Sequence, residues 1–220
     1  MQLVVVKVGG AALAGRALHP DVLLRRTGRV VVVHGAGPRI SSALAEAGIA
    51  SRFVDGRRVT GEEAMPYVKA AFEAENEALC RLIGERALGL IGDEVGLEAE
   101  VVPELGCVGA LEPVVPSALW DALAADRIPV LAPIARGPLN VNADDAASVL
   151  AVALGADRLA FVSDVPGVRV GRRVARLLSA DDVADLGAQV SAGMVAKLQA
   201  AVAAARQGVE VHVGTTAVIA

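Results

Sequence analysis

The chain has 220 residues, of which 54% are hydrophobic and 2% aromatic, and its formal net charge is −4. This length and apolar content are sufficient for the core of one large domain or two small lobes. The acidic balance and the few aromatic residues argue against nucleic-acid partners and against a basic, membrane-binding surface.

The sequence also lacks the signals of export and of metal binding. No apolar stretch approaches the ~18 residues of a membrane-spanning helix, and the first residues lack the pattern of a signal peptide. Cys80 and Cys107 lie far apart without metal-ligand spacing, which predicts buried thiols in a reducing cytoplasm. We therefore expect a cytoplasmic protein with no metal site built from its own side chains.

Strand-like and helix-like segments alternate along the chain. The first half predicts strands at 3–8 and 29–34, a helix at 38–47, an extended or hairpin segment at 51–60, a long helix at 62–88, antiparallel strands at 97–102 and 107–111, and a helix at 117–126 with Ser117 as its N-cap. The second half predicts strands at 128–133 and 158–163, a helix at 142–154, a hairpin at 168–170 and 173–177, helices at 179–186 and 193–207, and strands at 209–213 and 215–219. Fully apolar strands indicate a sheet covered on both faces, so the pattern predicts an α/β fold with a mainly parallel sheet.

Glycines and small polar residues follow four of the predicted strands, in the segments KVGG (7–10), HGAG (34–37), NVNAD (140–144) and SDVPG (163–167). Ligands of open α/β sheets bind beyond the carboxyl ends of strands, where glycines let backbone N–H groups approach an oxyanion. Together these segments predict an anion-binding site. The sequence has no P-loop motif, and Ile40 stands where a dinucleotide fingerprint needs its third glycine.

Lysine is rare in this chain: of the 21 basic residues only Lys7, Lys69 and Lys197 are lysines. Arginine serves wherever positive charge alone is needed, so each lysine is a candidate for a task that requires a compact ammonium group. Lys7 is the most informative of the three, because it lies inside the apolar run VVVKV, and a lysine is rarely buried without a partner.

The ordered segments KVGG, HGAGP, GRRVT, NVNAD, SDVPGV and GMVAK resemble the amino-acid kinase family over nearly the whole chain. The combination of GRRVT with NVNAD is most similar to its acetylglutamate kinase branch. The resemblance implies a three-layer α/β/α sandwich with a mostly parallel central sheet, formed as a single domain with an N-lobe (1–145) for the acyl amino acid and a C-lobe (146–220) for ATP. It further implies ATP-dependent phosphorylation of the side-chain carboxylate of N-acetyl-L-glutamate, with Mg²⁺ held mainly by the ATP phosphates.

The resemblance also implies roles for individual residues. The catalytic residues would be Lys7, Lys197 and Asp144, with Asp144 orienting the two lysines rather than acting as a base. The phosphate-binding residues would be Gly9, Gly10, Gly35, Ala36 and Gly37. The substrate would be bound by Arg58, Asn140 and Asn142, and the nucleotide by Ser163, Asp164 and Gly167.

Several alternatives stay open at this point. Arg57 competes with Arg58 for the substrate carboxylate, Asp145 competes with Asp144 or could leave it as a mere helix cap, and His34 is expected to be structural or orienting rather than catalytic. The acceptor could instead be a related N-acylated aminoadipate or glutamate, possibly linked to a carrier protein, or the chain could be a non-catalytic nucleotide-binding regulatory module.

Three departures from the family pattern affect these expectations. Ala36 replaces a glycine of the pattern HGGGP, which is costly if that backbone must be left-handed. The segment before Lys197 lacks a common proline, and Gly214-Thr215 directly follows the strand at 209–213, so the nucleotide side is reduced. The family's arginine-inhibited hexamers carry an extra N-terminal helix, so for this chain we expect a homodimer without arginine feedback.

Overall fold

The computed structural model describes residues 2–10, 28–162 and 165–220. Its strands are β1 (Gln2–Val8), β2 (Gly28–His34), β3 (Arg52–Val54), β4 (Arg57–Val59), β5 (Ala87–Ile91), β6 (Ala99–Val101), β7 (Val108–Leu111), β8 (Ile128–Ala132), β9 (Ile134–Ala135), β10 (Leu139–Val141), β11 (Arg158–Val162), β12 (Arg169–Val170), β13 (Arg173–Val174), β14 (Leu177–Leu178), β15 (Glu210–Val213) and β16 (Thr216–Val218). The helices named here are α1 (Gly37–Glu46), α2 (Met65–Ile83), α3 (Gly92–Val95), α4 (Ser117–Ala124), α5 (Ala143–Ala153), α6 (Ala180–Leu186) and α7 (Ala192–Arg206).

The central sheet has eight strands in the order β14-β16-β15-β11-β1-β2-β8-β5. All neighbouring pairs are parallel except β15 and β16, which form an antiparallel hairpin near one edge. β1 lies in the interior of the sheet, and Lys7 is opposite Phe161 on one side and Val33 on the other. The sheet therefore brings the carboxyl ends of β1, β2 and β11 together.

Alternation along β1 divides its side chains between two helical layers. Val4 and Val6 pack in one cluster with Leu79 of α2. Leu3 and Val5 point to the opposite face, where they share a cluster with residues of α4, α5, α6 and α7. The predicted α/β/α sandwich with a mostly parallel sheet is thus confirmed, and Lys7 lies on the face covered by α5 and α7 because side chains alternate along a strand.

Smaller sheets lie beside this sandwich. β6, β7, β10 and β9 form a four-stranded sheet in that order, and β3 pairs with β4 in an antiparallel hairpin. The predicted hairpin at 51–60 and the antiparallel strands at 97–102 and 107–111 are confirmed. Within the described ranges, no helix is long and apolar enough to cross a membrane.

Two local predictions were wrong. The long helix ends at Ile83 rather than at residue 88, because Gly84 adopts a φ of +90° that terminates it. The apolar residues that follow form the edge strand β5, paired in parallel with β8. Ser117 is the first helical residue of α4 and not its cap, since the N-cap position is taken by Pro116 and has no side-chain hydrogen bond.

Replacing Gly89 with alanine distinguishes the observed strand from the predicted helix. In β5, a β-carbon at residue 89 would overlap the amide oxygen of Asn76 and lie 3.2 Å from the sulfur of Cys80. We expect Gly89→Ala to lower the free energy of unfolding in urea by about 1–3 kcal/mol through overpacking. A helical position would instead be stabilised by about 1 kcal/mol. The matched control is Gly193→Ala in α7, where the added methyl meets open space and should be neutral or stabilising.

Candidate active site

A buried carboxylate joins two lysines at the carboxyl end of β1. Asp144 Oδ1 lies 2.9 Å from Lys7 Nζ and 2.7 Å from Lys197 Nζ. The three side chains are between 8% and 12% exposed, and the Lys197 ammonium also lies 5.3 Å from the centroid of the Phe161 ring. One carboxylate facing two ammonium groups leaves a net positive charge, which suits a site for an anion.

The pKa values follow from burial and from this cluster of charges. Burial alone would raise the pKa of Asp144, but the charges and hydrogen bonds of Lys7 and Lys197 outweigh it and hold that pKa below its ordinary value. Burial, reinforced by the charge of Lys7, lowers the pKa of Lys197 to about 8, although Asp144 opposes the shift. Asp144 is therefore ionised at neutral pH and cannot serve as a proton acceptor without first losing its lysine partners.

At the start of α5, three nearby polar residues make different contacts. Asn142 is the N-cap, and its side-chain oxygen accepts hydrogen bonds from the backbone N–H groups of Asp144 and Asp145. Asp145 pairs with Arg57 at 2.7 Å. Asp144 is consequently free of capping and faces the two lysines, whereas Asp145 faces Arg57.

The glycine turn after β1 (residues 9–10, the first turn) and the glycine turn after β2 (residues 35–37, the second turn) touch each other beside Lys7. The Gly9 N–H donates to the Val162 carbonyl at 3.1 Å, and the Gly35 N–H donates to the Val8 carbonyl at 3.0 Å. Because these N–H groups already donate to carbonyls and hold the turns in place, they are not available to an incoming anion. Gly35 instead leaves space beside Lys7, since a β-carbon at residue 35 would lie 3.9 Å from Lys7 Nζ. A β-carbon at Gly10 would lie 2.9 Å from Cδ of Pro38 in the second turn.

The backbone N–H groups of Ala36 and Gly37 are the hydrogen-bond donors that the second turn can offer to an anion. Ala36 is the N-cap of α1 with a φ of −131°, so its backbone is not left-handed and the missing glycine of the family pattern carries no conformational cost here. Gly37 begins the helix, where backbone N–H groups have no intrahelical partner. Neither N–H has an acceptor in the part of the chain that the structure describes.

Arg58 is a buried cation without a buried anion. Its guanidinium donates to Ser51 Oγ at 2.5 Å, to Ser41 Oγ at 2.8 Å and to the Gly37 carbonyl at 3.3 Å. The residue is 7% exposed, and burial lowers its pKa. Over residues 2–10, 28–162 and 165–220, no carboxylate lies within salt-bridge distance of it. By contrast, the neighbouring Arg57 is half-exposed and already paired with Asp145.

A cavity of about 160 Å³ connects these groups. Its wall includes Lys7 and Asp144 from the charged cluster, Arg58, the turn at 35–37, and both predicted asparagines, Asn140 and Asn142. Asn140 Nδ2 donates to Thr60 Oγ1 at 3.1 Å. The structure therefore brings the residues of the KVGG, HGAG, GRRVT and NVNAD segments to a common space.

The residues predicted to bind the nucleotide are described only in part. Ser163 and Asp164 lie outside the described residues. Gly167 forms an isolated bridge with Gly214, and a β-carbon there would lie 2.7 Å from Thr216 Oγ1. The absence of a side chain at Gly167 is thus required by packing against the turn between β15 and β16.

Sequence reasoning missed the residues that support Arg58. Ser41 lies on α1, and Ser51 and Phe53 lie just before and within β3; the Phe53 ring centroid is 4.5 Å from the guanidinium carbon. Isolated serines carry no motif, so nothing in the sequence pattern could have singled them out. Among the described residues, no group of three or more His, Cys, Asp or Glu side chains could hold a metal ion.

At the carboxyl end of β1, Lys7 meets Asp144 from α5 and Lys197 from α7 beside two glycine turns. This arrangement suits a class of proteins that hold a phosphoryl group by positioning and charge. The model of the Amino acid kinase family matches residues 2–215, and the chain belongs to this family.

Individual proteins that are similar to this chain include an acetylglutamate kinase and two proteins of known structure. The acetylglutamate kinase of Rubrobacter xylanophilus is 40% identical over 225 residues, covering 97% of this chain and 88% of the relative. A Streptococcus mutans protein of known structure has a TM-score of 0.85 and 25% identity, covering 99% of this chain and 98% of that one. The N-acetylglutamate synthase of Neisseria gonorrhoeae, complexed with coenzyme A and N-acetyl-glutamate, has a TM-score of 0.75 and 25% identity, covering 96% of this chain and 54% of that one.

The charge coupling in the cluster can be measured by nuclear magnetic resonance of ¹³C-labelled lysines, since the chain has only three. We expect one ammonium to titrate near pH 8, its signal assigned by its absence in Lys197→Gln. Asp144→Asn removes the carboxylate that raises this pKa, so the midpoint should move to lower pH. Lys69→Gln is the control that leaves the transition in place. A Lys197 midpoint above pH 10, or an upward movement in Asp144→Asn, would contradict the described geometry.

Proposed function

We propose that the chain transfers the γ-phosphoryl group of ATP to the side-chain carboxylate of N-acetyl-L-glutamate, giving ADP and N-acetylglutamyl 5-phosphate. The observation that carries the proposal is the buried Arg58 guanidinium, which has only neutral partners among the described residues and shares a cavity with Lys7. A guanidinium in this position suits the α-carboxylate of an acyl amino acid, because its planar donors match a carboxylate in shape and charge. The 40% identity with an acetylglutamate kinase supports the same substrate.

The residues of the cluster would act through position and charge. In this mechanism Lys7 contacts the transferring phosphoryl group, and Lys197 holds the nucleotide phosphates and the leaving oxygen. Asp144 keeps both ammonium groups in place through one of its two carboxylate oxygens, Oδ1. The attacking carboxylate is already ionised at neutral pH, so no general base is required. The preorganised lysines and the N–H groups of the second glycine turn would stabilise the negative charge of the transition state.

The donor set fits a magnesium ion that is bound mainly through the phosphates of ATP. Oxygen ligands suit Mg²⁺, but Oδ1 of Asp144 already contacts two ammonium groups. When bound, Mg²⁺ would neutralise part of the negative charge on the phosphates. The protein's own contribution is to hold the lysines and to exclude water from the cavity. We propose that the acyl amino acid binds to the N-lobe (1–145) and ATP to the C-lobe (146–220), on either side of Asp144.

A release assay for ADP tests the proposal directly. With ATP, we expect turnover of N-acetyl-L-glutamate to exceed that of free glutamate and of N-acetyl-aminoadipate by at least about tenfold in kcat/KM, because the pocket must match both the acyl amide and the chain length. Higher turnover of the aminoadipate derivative would reassign the substrate within the same reaction. Nucleotide binding without turnover of any acceptor would favour a non-catalytic regulatory module.

The two neighbouring arginines provide a matched pair of variants. Arg58→Lys should raise KM for N-acetylglutamate by about tenfold or more while leaving KM for ATP within about twofold, because lysine cannot bind a carboxylate through two parallel hydrogen bonds. Arg57→Lys alters an ion pair with Asp145 at a half-exposed position and should change KM for N-acetylglutamate by less than about threefold. Thermal unfolding checks that both variants fold. The reverse order of effects would assign the carboxylate to Arg57.

A further inference from the structure

His34 is a buried histidine that the proposed mechanism leaves without a role. It ends β2, its side chain is fully buried, and its ring centroid lies 5.8 Å from that of Phe72 on α2. It is the residue immediately before the glycine turn at 35–37. A buried polar ring at this point needs hydrogen-bond partners, and the identity of those partners decides what it can do.

The neighbours of His34 fix which ring nitrogen carries the proton. Asn76 Nδ2 donates to the Val130 carbonyl at 2.7 Å and lies 3.1 Å from His34 Nε2. The Asn76 side-chain oxygen faces the Cys80 thiol at 3.7 Å. If the amide were turned round, this oxygen would face the Val130 carbonyl oxygen in place of the amide nitrogen, and two acceptors would repel each other. Nε2 is therefore an acceptor, and the proton is on Nδ1. Burial, with a contribution from the charge of Lys7, lowers the pKa of His34 to about 4, so the ring is neutral at physiological pH.

The Nδ1–H group is left as an unused buried donor. No residue in the described ranges accepts a hydrogen bond from it. The backbone of Gly35 favours the protonated ring, as an acceptor would, although Nδ1 does not meet hydrogen-bond geometry with it in this conformation. The Gly35 carbonyl is thus the candidate acceptor, which a rotation of the Gly35–Ala36 peptide would bring to Nδ1.

This peptide follows His34 directly along the chain, and Gly35 and Ala36 both line the cavity that Lys7 also lines. In a trans peptide, the carbonyl of one residue and the N–H of the next point in opposite directions. If the Gly35 carbonyl turns towards His34 Nδ1–H, the Ala36 N–H is directed away from His34. Ala36 lines the cavity beside Lys7, and its N–H has no acceptor in the described part of the chain.

We propose that His34 is a positioning residue, whose Nδ1–H binds the Gly35 carbonyl and thereby directs the Ala36 N–H at the anion bound beside Lys7. This inference rests on the proposed function for the identity of that anion, a phosphoryl group. The described conformation leaves both donors unpaired, and binding of the anion pairs both of them together. Asn76 acts one step further away, because its amide holds the ring in the tautomer that has the proton on Nδ1.

Two substitutions separate the ring nitrogens. The side-chain nitrogen of asparagine occupies roughly the place of Nδ1, whereas that of glutamine occupies roughly the place of Nε2. We expect His34→Asn to keep kcat within about threefold of the wild type. His34→Gln should lower kcat by about tenfold to hundredfold with little change in KM for N-acetylglutamate, because a transition-state donor is misdirected. Cys80→Ala is the control and should leave kcat unchanged, because the bond from Asn76 Nδ2 to the Val130 carbonyl at 2.7 Å still holds the amide.

A second measurement does not depend on turnover. ¹⁵N resonances of the histidine rings should show the proton of His34 on Nδ1, and the Ala36 amide proton should move downfield when AMP-PNP is added to the wild type but not to His34→Gln. Equal losses of kcat in the two variants with unchanged thermal unfolding, a proton on Nε2, or an Ala36 amide that ignores the nucleotide would each overturn the inference. Absence of turnover in the wild type with a responsive Ala36 amide would instead count against the proposed function alone.

Discussion

The structure depends on one constraint: two ammonium groups can be buried together only if an anion separates them. Asp144 supplies that anion, and it does so with a single carboxylate oxygen in contact with both lysines. Breaking such a buried pair would leave an uncompensated charge, which is strongly destabilising. The three residues come from β1, α5 and α7, so the requirement fixes the positions of these elements relative to one another. The positive charge that remains is available to a bound anion.

The β3–β4 hairpin connects this cluster to the proposed substrate site. Arg58 reaches the cavity from β4, and the adjacent Arg57 pairs with Asp145, the neighbour of Asp144. At the tip, Gly56 has a φ of +77°, and a β-carbon there would lie 2.9 Å from the β-carbon of Ala196, next to Lys197. A single hairpin thus contacts the helices that carry two members of the charged cluster.

The sequence predicted much of the fold because its strongest signals are local. The apolar run before KVGG defines a buried strand, and the order of motifs carries the resemblance to the amino-acid kinase family, which the comparisons confirm. The end of α2 could not be placed correctly from apolar spacing, since residues 87–91 suit a helix as well as a strand. Pairing with β8, about 40 residues away along the chain, decides that they form the sheet edge.

For the candidate site, the sequence by itself determined which kinds of residue stand at the strand ends: a lysine in an apolar strand, glycines after it, and acids and amides before a helix. Only the tertiary structure decided which partner each of these residues contacts. In the folded protein Arg57 pairs with Asp145, whereas Arg58 has no anionic partner in the described part of the chain. The N–H groups of Gly9 and Gly35 donate to main-chain carbonyls. The tertiary structure also brought Asn76 to the His34 ring. The physical reason is that hydrogen bonds and charge pairs act between neighbours in space. These partners are far apart in the sequence, from 27 positions for Gly35 and Val8 to 153 positions for Gly9 and Val162, and they meet only once the sheet has formed.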